Sequence, residues 1–444
     1  MTEGNILKLI LVFSVPLFIG NIFQQIYSMV DTMVVGHHLG DGAIAAIGAT
    51  TSLYSLLINI AGGLNNGYGI IVAHRFGAHR MREMKRAVAG MIILDGTVAL
   101  VLTALALVFL RPLMRFMNTP TAIFEQSYTY ISIICAGMAA TLAYNMFASI
   151  FRAMGNSRSP LYFLIIASLL NVALDVLFVI VLDVGIGGAA VATVISQLVA
   201  AVLCGIYALK HYRDFLPQRE DFLECLPSLG DLLTMGVSVA LMGSLVDLGS
   251  VIFQRANNVL GETVIAAYAA SRKILGIAMQ PQCTFALAVS TFIGQNWGAG
   301  KHDRIRKALK NGFLLELGWS FAAMAGITAL ATQLVVLTTG TSDPAVVENA
   351  VLSLRIHFTT FPILGILFCI RSSMQAMGWK VAPVLSSIIE LAMKILSAAV
   401  LIPMFGFVGT CATEPVSWVL MTVYLLAVYF AKHKEKMSTI FQGS

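Results

Sequence analysis

Charge is scarce in this chain. Asp, Glu, Lys and Arg make up 11% of its 444 residues, against roughly 25% in ordinary soluble domains, while 58% of positions are hydrophobic. That deficit excludes a soluble globular protein. Cysteine is scarce as well: there are six, with no Cys-x-x-Cys and no metal-ligand spacing, so neither a disulfide framework nor a zinc site is expected. Cys135, Cys204, Cys283, Cys369 and Cys411 fall in apolar stretches and only Cys225 in a loop, which predicts buried, inert thiols. The first apolar stretch lacks a small-residue cleavage site, so no cleavable signal peptide is expected and the first helix itself serves membrane insertion. The net charge of +6 suits a membrane surface and calls for no nucleic-acid partner.

Apolar runs fill the space that charge leaves. Divided at polar breaks and at Gly and Pro, they predict twelve transmembrane helices at approximately 6–35, 44–74, 87–110, 122–150, 160–182, 188–210, 229–256, 263–295, 307–331, 346–374, 382–402 and 408–431. The expected fold is an all-α integral membrane protein. With the N-terminus inside, 21 of the 28 lysines and arginines fall on the cytoplasmic side, Arg371 and Lys380 among them, and three on the other. Because cytoplasmic segments hold the positive excess, both termini are expected to be cytoplasmic.

The sequence repeats itself. Gly40 to Ala46 lines up with Gly261 to Ala267 at an offset of 221, and the same offset carries Phe76-Gly77-Ala78 onto Trp297-Gly298-Ala299. Ala153-Met154-Gly155 matches Ala376-Met377-Gly378 at an offset of 223, and Gly185 matches Gly406 at 221. Two six-helix halves follow: residues 1–210 as an N-lobe, 211–228 as a cytoplasmic linker and 229–444 as a C-lobe. Six crossings return the chain to its starting side, so the halves share one orientation. Parallel repeats of this kind suit a transporter that holds its substrate between the halves and rocks one against the other.

Ionisable groups inside a bilayer are costly and mark functional positions. Seven acids qualify: Asp31, Asp95, Asp175, Asp247, Glu316, Glu390 and Glu414. Asp95 and Glu316 are repeat partners, which favours a shared structural role, and Glu390 stands four residues before Lys394, the favourable order for an ion pair on one helix. Asp31 and Asp175 differ from these. Asp31 lies about 8 Å from the outer end of the first helix at 1.5 Å per residue, and Asp175 and Thr193 fall in the same outer-leaflet layer. Asn171 precedes Asp175 by one turn and shares its face. Gln24, Tyr27 and Asp31, spaced by three and four, form one polar stripe on an apolar helix. Desolvation and mutual repulsion penalise two charged carboxylates in one pocket, so the pair can carry a proton. The same oxygens of Asp31, Asn171, Asp175 and Thr193 equally suit Na⁺, a hard cation. Pro16, in the middle of the first helix, removes a backbone hydrogen bond and is a candidate hinge.

The stretch Tyr27-Ser-Met-Val-Asp31-Thr-Met-Val-Val-Gly36, followed by Gly40 and Ala43-Ile-Ala-Ala, closely resembles the first-helix motif of the MATE (multidrug and toxic compound extrusion) family. The repeat layout, the segment Arg152-Ala-Met-Gly155 before Pro160 and the twelve helices extend the resemblance over essentially the whole chain. It implies a secondary antiporter, not an enzyme, that exports cationic, amphipathic organic compounds in exchange for H⁺ or Na⁺ through two lobes around a central cavity. It implies no cofactor beyond the coupling ion, a monomer in the lipid bilayer, and an inner-membrane location. Asp31, Asn171, Asp175 and Thr193 match the cation-coupling residues of the DNA-damage-inducible-type branch, and Pro16 matches its bending proline. Gln24, Tyr27, Tyr130 and Asn145 fall where such proteins line the N-lobe cavity. Members that couple through the C-lobe use acids on helices 7 and 10, whereas span 10 offers Arg355, so Asp247 lacks its usual partner.

Three alternatives remain at the level of sequence. A lipid-linked oligosaccharide flippase of the same superfamily would need several cavity cations for a pyrophosphate, and Arg272, Lys273, Arg355 and Lys394 are those inside spans. A major-facilitator carrier is disfavoured because His74-Arg-Phe-Gly-Ala-His-Arg80 is not its loop after helix 2. An integral membrane enzyme needs a metal or nucleophile constellation, and the adjacent His37 and His38 point to different helix faces and chelate poorly.

Overall fold

The computed structural model describes residues 1–117, 119–340 and 343–442, without the side chains of Ser52 and of residues 433–442. Lys434 and Lys436, two of the positives counted toward topology, thus have side chains outside the described residues. Among the described residues there is no strand.

Among the described residues ten helices are long and apolar enough to cross a membrane, and two bent pairs, each taken as one span, bring the total to twelve. They are α1 (Ile6–Leu39), α2 (Asp41–Gly77), α3 (Met81–Phe116), α4 (Thr121–Ala136 with Met138–Ala153), α5 (Arg158–Val181), α6 (Ile186–His211), α7 (Leu226–Leu260), α8 (Glu262–Gly298), α9 (His302–Ala329), α10 (Pro344–Thr359 with Phe361–Ala376), α11 (Val381–Phe405) and α12 (Phe407–Lys432). All twelve expected spans are present. Most run longer than their apolar cores because helical hydrogen bonding continues beyond the last apolar turn. α3, for example, begins at Met81 and includes Glu83, Lys85 and Arg86.

The breaks are also repeated. α4 bends by 47° at Gly137 and α10 by 49° at Thr360, positions 223 residues apart. Pro362, in the first turn of the second segment of α10, cannot donate a helical hydrogen bond and accounts for one break. At the other, a Cβ on Gly137 would lie 2.3 Å from Val194 Cγ2, so the bend brings bare backbone against α6. α5 and α11 each pass into a π-helical turn, at Val176–Val181 and Ser397–Leu401. The repeated glycines have a backbone reason too: Gly40 and Gly261 turn at φ 79° and 96°, and Gly155 and Gly378 at 89° and 84°, where an L side chain is strained.

Helix packing forms two compact units, Val15–Ala240 and Met1–Ser14 with Leu241–Ser444. The packing boundaries fall between Ser14 and Val15 of α1, beside Pro16, and between Ala240 and Leu241 in the middle of α7, outside the segment 211–228 expected as a linker. In the first unit the charged segment after α6 is tied down, with Arg82 and Arg86 both on Glu224 and Arg75 on Ser228 at 2.8 Å. The start of α7 crosses α2 at a glycine pair, where a Cβ on Gly67 would sit 2.6 Å from the Gly236 Cα. Gly67→Ala should therefore lower stability by about 2 kcal/mol, the cost of overpacking a dense contact, read as a fall in the unfolding temperature of the purified protein.

Large apolar side chains such as Leu100 (75% exposed) and Phe116 (84%) face outward, which suits a lipid-facing surface. Cys283 is exposed, against the expectation of burial, while Cys225, placed in a loop, is buried. All six thiols are free. Arg371, counted with a cytoplasmic connection, lies inside α10 and is buried; the apolar stretch ends before the helix does.

Candidate functional site

Three helices of the first unit build a polar nest. α5 presents Ser168, Asn171 and Asp175 at spacings of three and four, and α6 presents Thr193, Ser196 and Gln197. Asn171 is 2% exposed and Asp175 0%, while Asp31 on α1 is half-buried with its Oδ1 enclosed. The Asp31 and Asp175 carboxylates lie close enough to interact directly. The layer expected from helix depth is thus one assembled cluster, and Asp175 closes the regular part of α5 immediately before its π turn, a local irregularity often found at functional positions.

Several polar atoms of the nest are buried without a partner. Asp31 Oδ1, both Asp175 carboxylate oxygens and Asn171 Oδ1 receive no hydrogen bond, and Asn171 Nδ2 and the hydroxyls of Ser168 and Ser196 are unpartnered as well. Thr193 donates its hydroxyl proton to the Ala189 carbonyl at 3.1 Å, which leaves its oxygen lone pairs free. A small cavity of about 10 Å³ is lined by Tyr27, Ser168, Asn171, Thr193, Ser196 and Gln197 among others, room on the order of one water molecule. Three carboxylate oxygens buried without a hydrogen bond call for a positive partner, either a proton shared between the carboxylates or a small cation held by the oxygens.

Tyrosines surround the acids. Tyr27 and Tyr130 feel the charges of both Asp31 and Asp175, and Gln24 adjoins the Tyr27 hydroxyl. Asn145 is not brought into the cluster: its amide donates to Thr141 O of its own helix at 2.9 Å. Tyr54 on α2, which acts on Tyr27 and Asp31, was absent from the expected set, as were Ser168, Ser196 and Gln197. Helical spacing from Asn171 and Thr193 would have found the last three; nothing local to α2 marks Tyr54.

The second unit holds further charged side chains. Lys394 pairs with Glu390 at 2.9 Å, as their spacing predicted. Glu414 pairs with Arg272 and lies 3.5 Å from His357 Nε2. Glu348 on the first turns of α10 is an acid that the reading of span 10 passed over; with Arg355 it lines a wide surface pocket. Of the repeat partners on α3 and α9, Asp95 accepts from Asn65 Nδ2 at 3.2 Å, while both Glu316 oxygens are buried without a donor.

The family model described as MatE matches residues 16–177 and again residues 239–400. This chain belongs to the MatE family. The two matches start 223 residues apart, an offset at which the sequence repeats, and the first begins at Pro16 and ends beyond Asp175. The MatE protein is 27% identical over 304 residues to the probable multidrug resistance protein YpnP of Bacillus subtilis, covering 68% of each chain. It is 23% identical over 431 residues to a FAD transporter of Shewanella oneidensis, covering 95% of this chain and 94% of that one. A solved structure of the outward-facing conformation of a multidrug resistance MATE family transporter of the MOP superfamily superposes with a TM-score of 0.89 at 22% identity, covering 98% of this chain and 97% of that one. The MatE protein is accordingly a multi-pass membrane transporter and not an enzyme.

Proposed function

We propose that this MatE protein is a secondary multidrug exporter that exchanges organic compounds, cationic amphipathic ones foremost, for H⁺ or Na⁺ by alternating access. The observation that carries the proposal is the nest of Asp31, Asn171, Asp175 and Thr193, in which three carboxylate oxygens are buried without a hydrogen bond and favour a monovalent cation. Binding that cation removes the repulsion between two buried carboxylates, so loading the site changes the energy of its surroundings and biases a conformational equilibrium. Pro16 supplies the bend, a role supported by the parting of the two packing units beside it. Tyr27 and Tyr130 then offer aromatic faces to an organic cation next to the acids, with Gln24 as a further lining group. In this reading the protein works as a monomer in the inner membrane with both termini cytoplasmic. The names of its relatives, which include multidrug and FAD transporters, leave the choice of cargo to the residues of this chain. Reconstituted vesicles loaded with a cationic dye should release it when an inward H⁺ or Na⁺ gradient is imposed, and the gradient that drives release names the ion. Release indifferent to both gradients would refute coupled exchange.

A further inference from the structure

In the second unit, the positions that repeat the oxygen nest hold charges of a different kind. An offset of 223 carries Asn171 onto Lys394, and an offset of 221 carries Thr193 onto Glu414. Around them lies a chamber of about 140 Å³, lined by Arg272, Arg371, Lys394, Glu390, Glu414 and Trp418 with apolar neighbours.

The charges there do not cancel. Glu414 is committed to Arg272 and Glu390 to Lys394. Lys394 also donates to Ser250 Oγ at 3.0 Å, and His357, bound through Nδ1 to Ser353 O at 2.7 Å, adds positive charge or none. Arg371 is left over. Its side chain donates to the Ser387 hydroxyl, its Nε is buried without a partner, and among the described residues no carboxylate stands within ion-pairing distance of it. A buried guanidinium that forms no ion pair, with Glu390 acting on it only from beyond contact distance while paired to Lys394, is expensive unless an anion completes it, and its planar fork matches a carboxylate.

The geometry points to this chamber as a binding site for the carboxylate end of an aromatic organic anion, a class of ligand distinct from the cations assigned to the first unit. One unbalanced positive charge fits one carboxylate. The volume fits one ring, since a cavity of roughly this size holds benzene, and Trp418 and Phe368 in the wall offer apolar faces to it. The two units thus present opposite polarities at repeat-related places, unpaired carboxylate oxygens in one and a cation outside any ion pair in the other. The inference does not require the coupling role of Asp31 and Asp175.

Titration of the purified protein with benzoate, followed by the tryptophan emission that Trp418→Phe removes, tests the site. Benzoate should quench saturably and benzyl alcohol, its neutral counterpart, should not; Asp31→Asn should bind benzoate as the parent does. Arg371→Gln should weaken binding at least tenfold, and Arg371→Lys should recover part of it. Absence of saturable benzoate quenching in the parent protein, a test independent of any variant's folding, overturns the assignment. So does equal response to benzyl alcohol, or unchanged benzoate affinity in Arg371→Gln.

Discussion

Asp175→Asn should abolish gradient-driven export, by at least tenfold, without destabilising the protein. The two halves of that expectation have one origin. Asp175 is fully buried, and neither of its oxygens receives a hydrogen bond, so its charge faces a desolvation cost that no donor offsets. An amide of the same shape removes the charge, and the unfolding temperature should match or exceed the parent's. It also removes the exchangeable cation. Asp31→Asn should lose export similarly, and because the carboxylates interact directly, the double variant should lose no more than either single one, as for residues acting as a unit. Export by both single variants at the parent rate, with equal amounts of folded protein in the membrane, would remove the pair from the mechanism.

Glu414→Gln should have the opposite profile. Glu414 is 7% exposed and neutralises Arg272, so losing it strands a cation. Breaking a buried pair from one side typically costs about 3–5 kcal/mol; the Arg272 side chain remains 39% exposed, so water screens part of the loss and about 2 kcal/mol is expected. Removing both charges should undo most of the damage, since a buried pair replaced by apolar groups is often neutral or stabilising. Thermal unfolding of Glu414→Gln, Arg272→Met and the double variant forms a cycle with a coupling energy of at least about 1 kcal/mol. Additive losses would mean that the pair contributes nothing as a pair.

The twelve spans were legible because a bilayer demands long apolar helices, a constraint that acts residue by residue along the chain. The approach of Asp31 and Asp175 was legible for a related reason: helices crossing one slab place residues of equal depth together, and depth follows from counting. What escaped had no such one-dimensional signal. The bend at Gly137 depends on close approach to Val194, and Gly137 is one of 37 glycines. Arg371 stands near the end of an apolar stretch and looks like a topological charge until its helix is seen to continue through Ala376. Tyr54 meets Asp31 only through the packing of α2. The chamber of the second unit draws its charges from α8, α10, α11 and α12, and nothing local distinguishes the paired Arg272 from the unpaired Arg371.

The central claim, that Asp31 and Asp175 carry the exchanged cation, is tested most directly by measuring ion movement itself. In vesicles containing the purified protein, outward flow of a dye should draw H⁺ or Na⁺ inward, recorded by an entrapped indicator for each ion. The account predicts that this dye-driven ion uptake disappears in Asp31→Asn combined with Asp175→Asn, while the variant still binds the dye. Ion uptake at the parent rate in that double variant would contradict it.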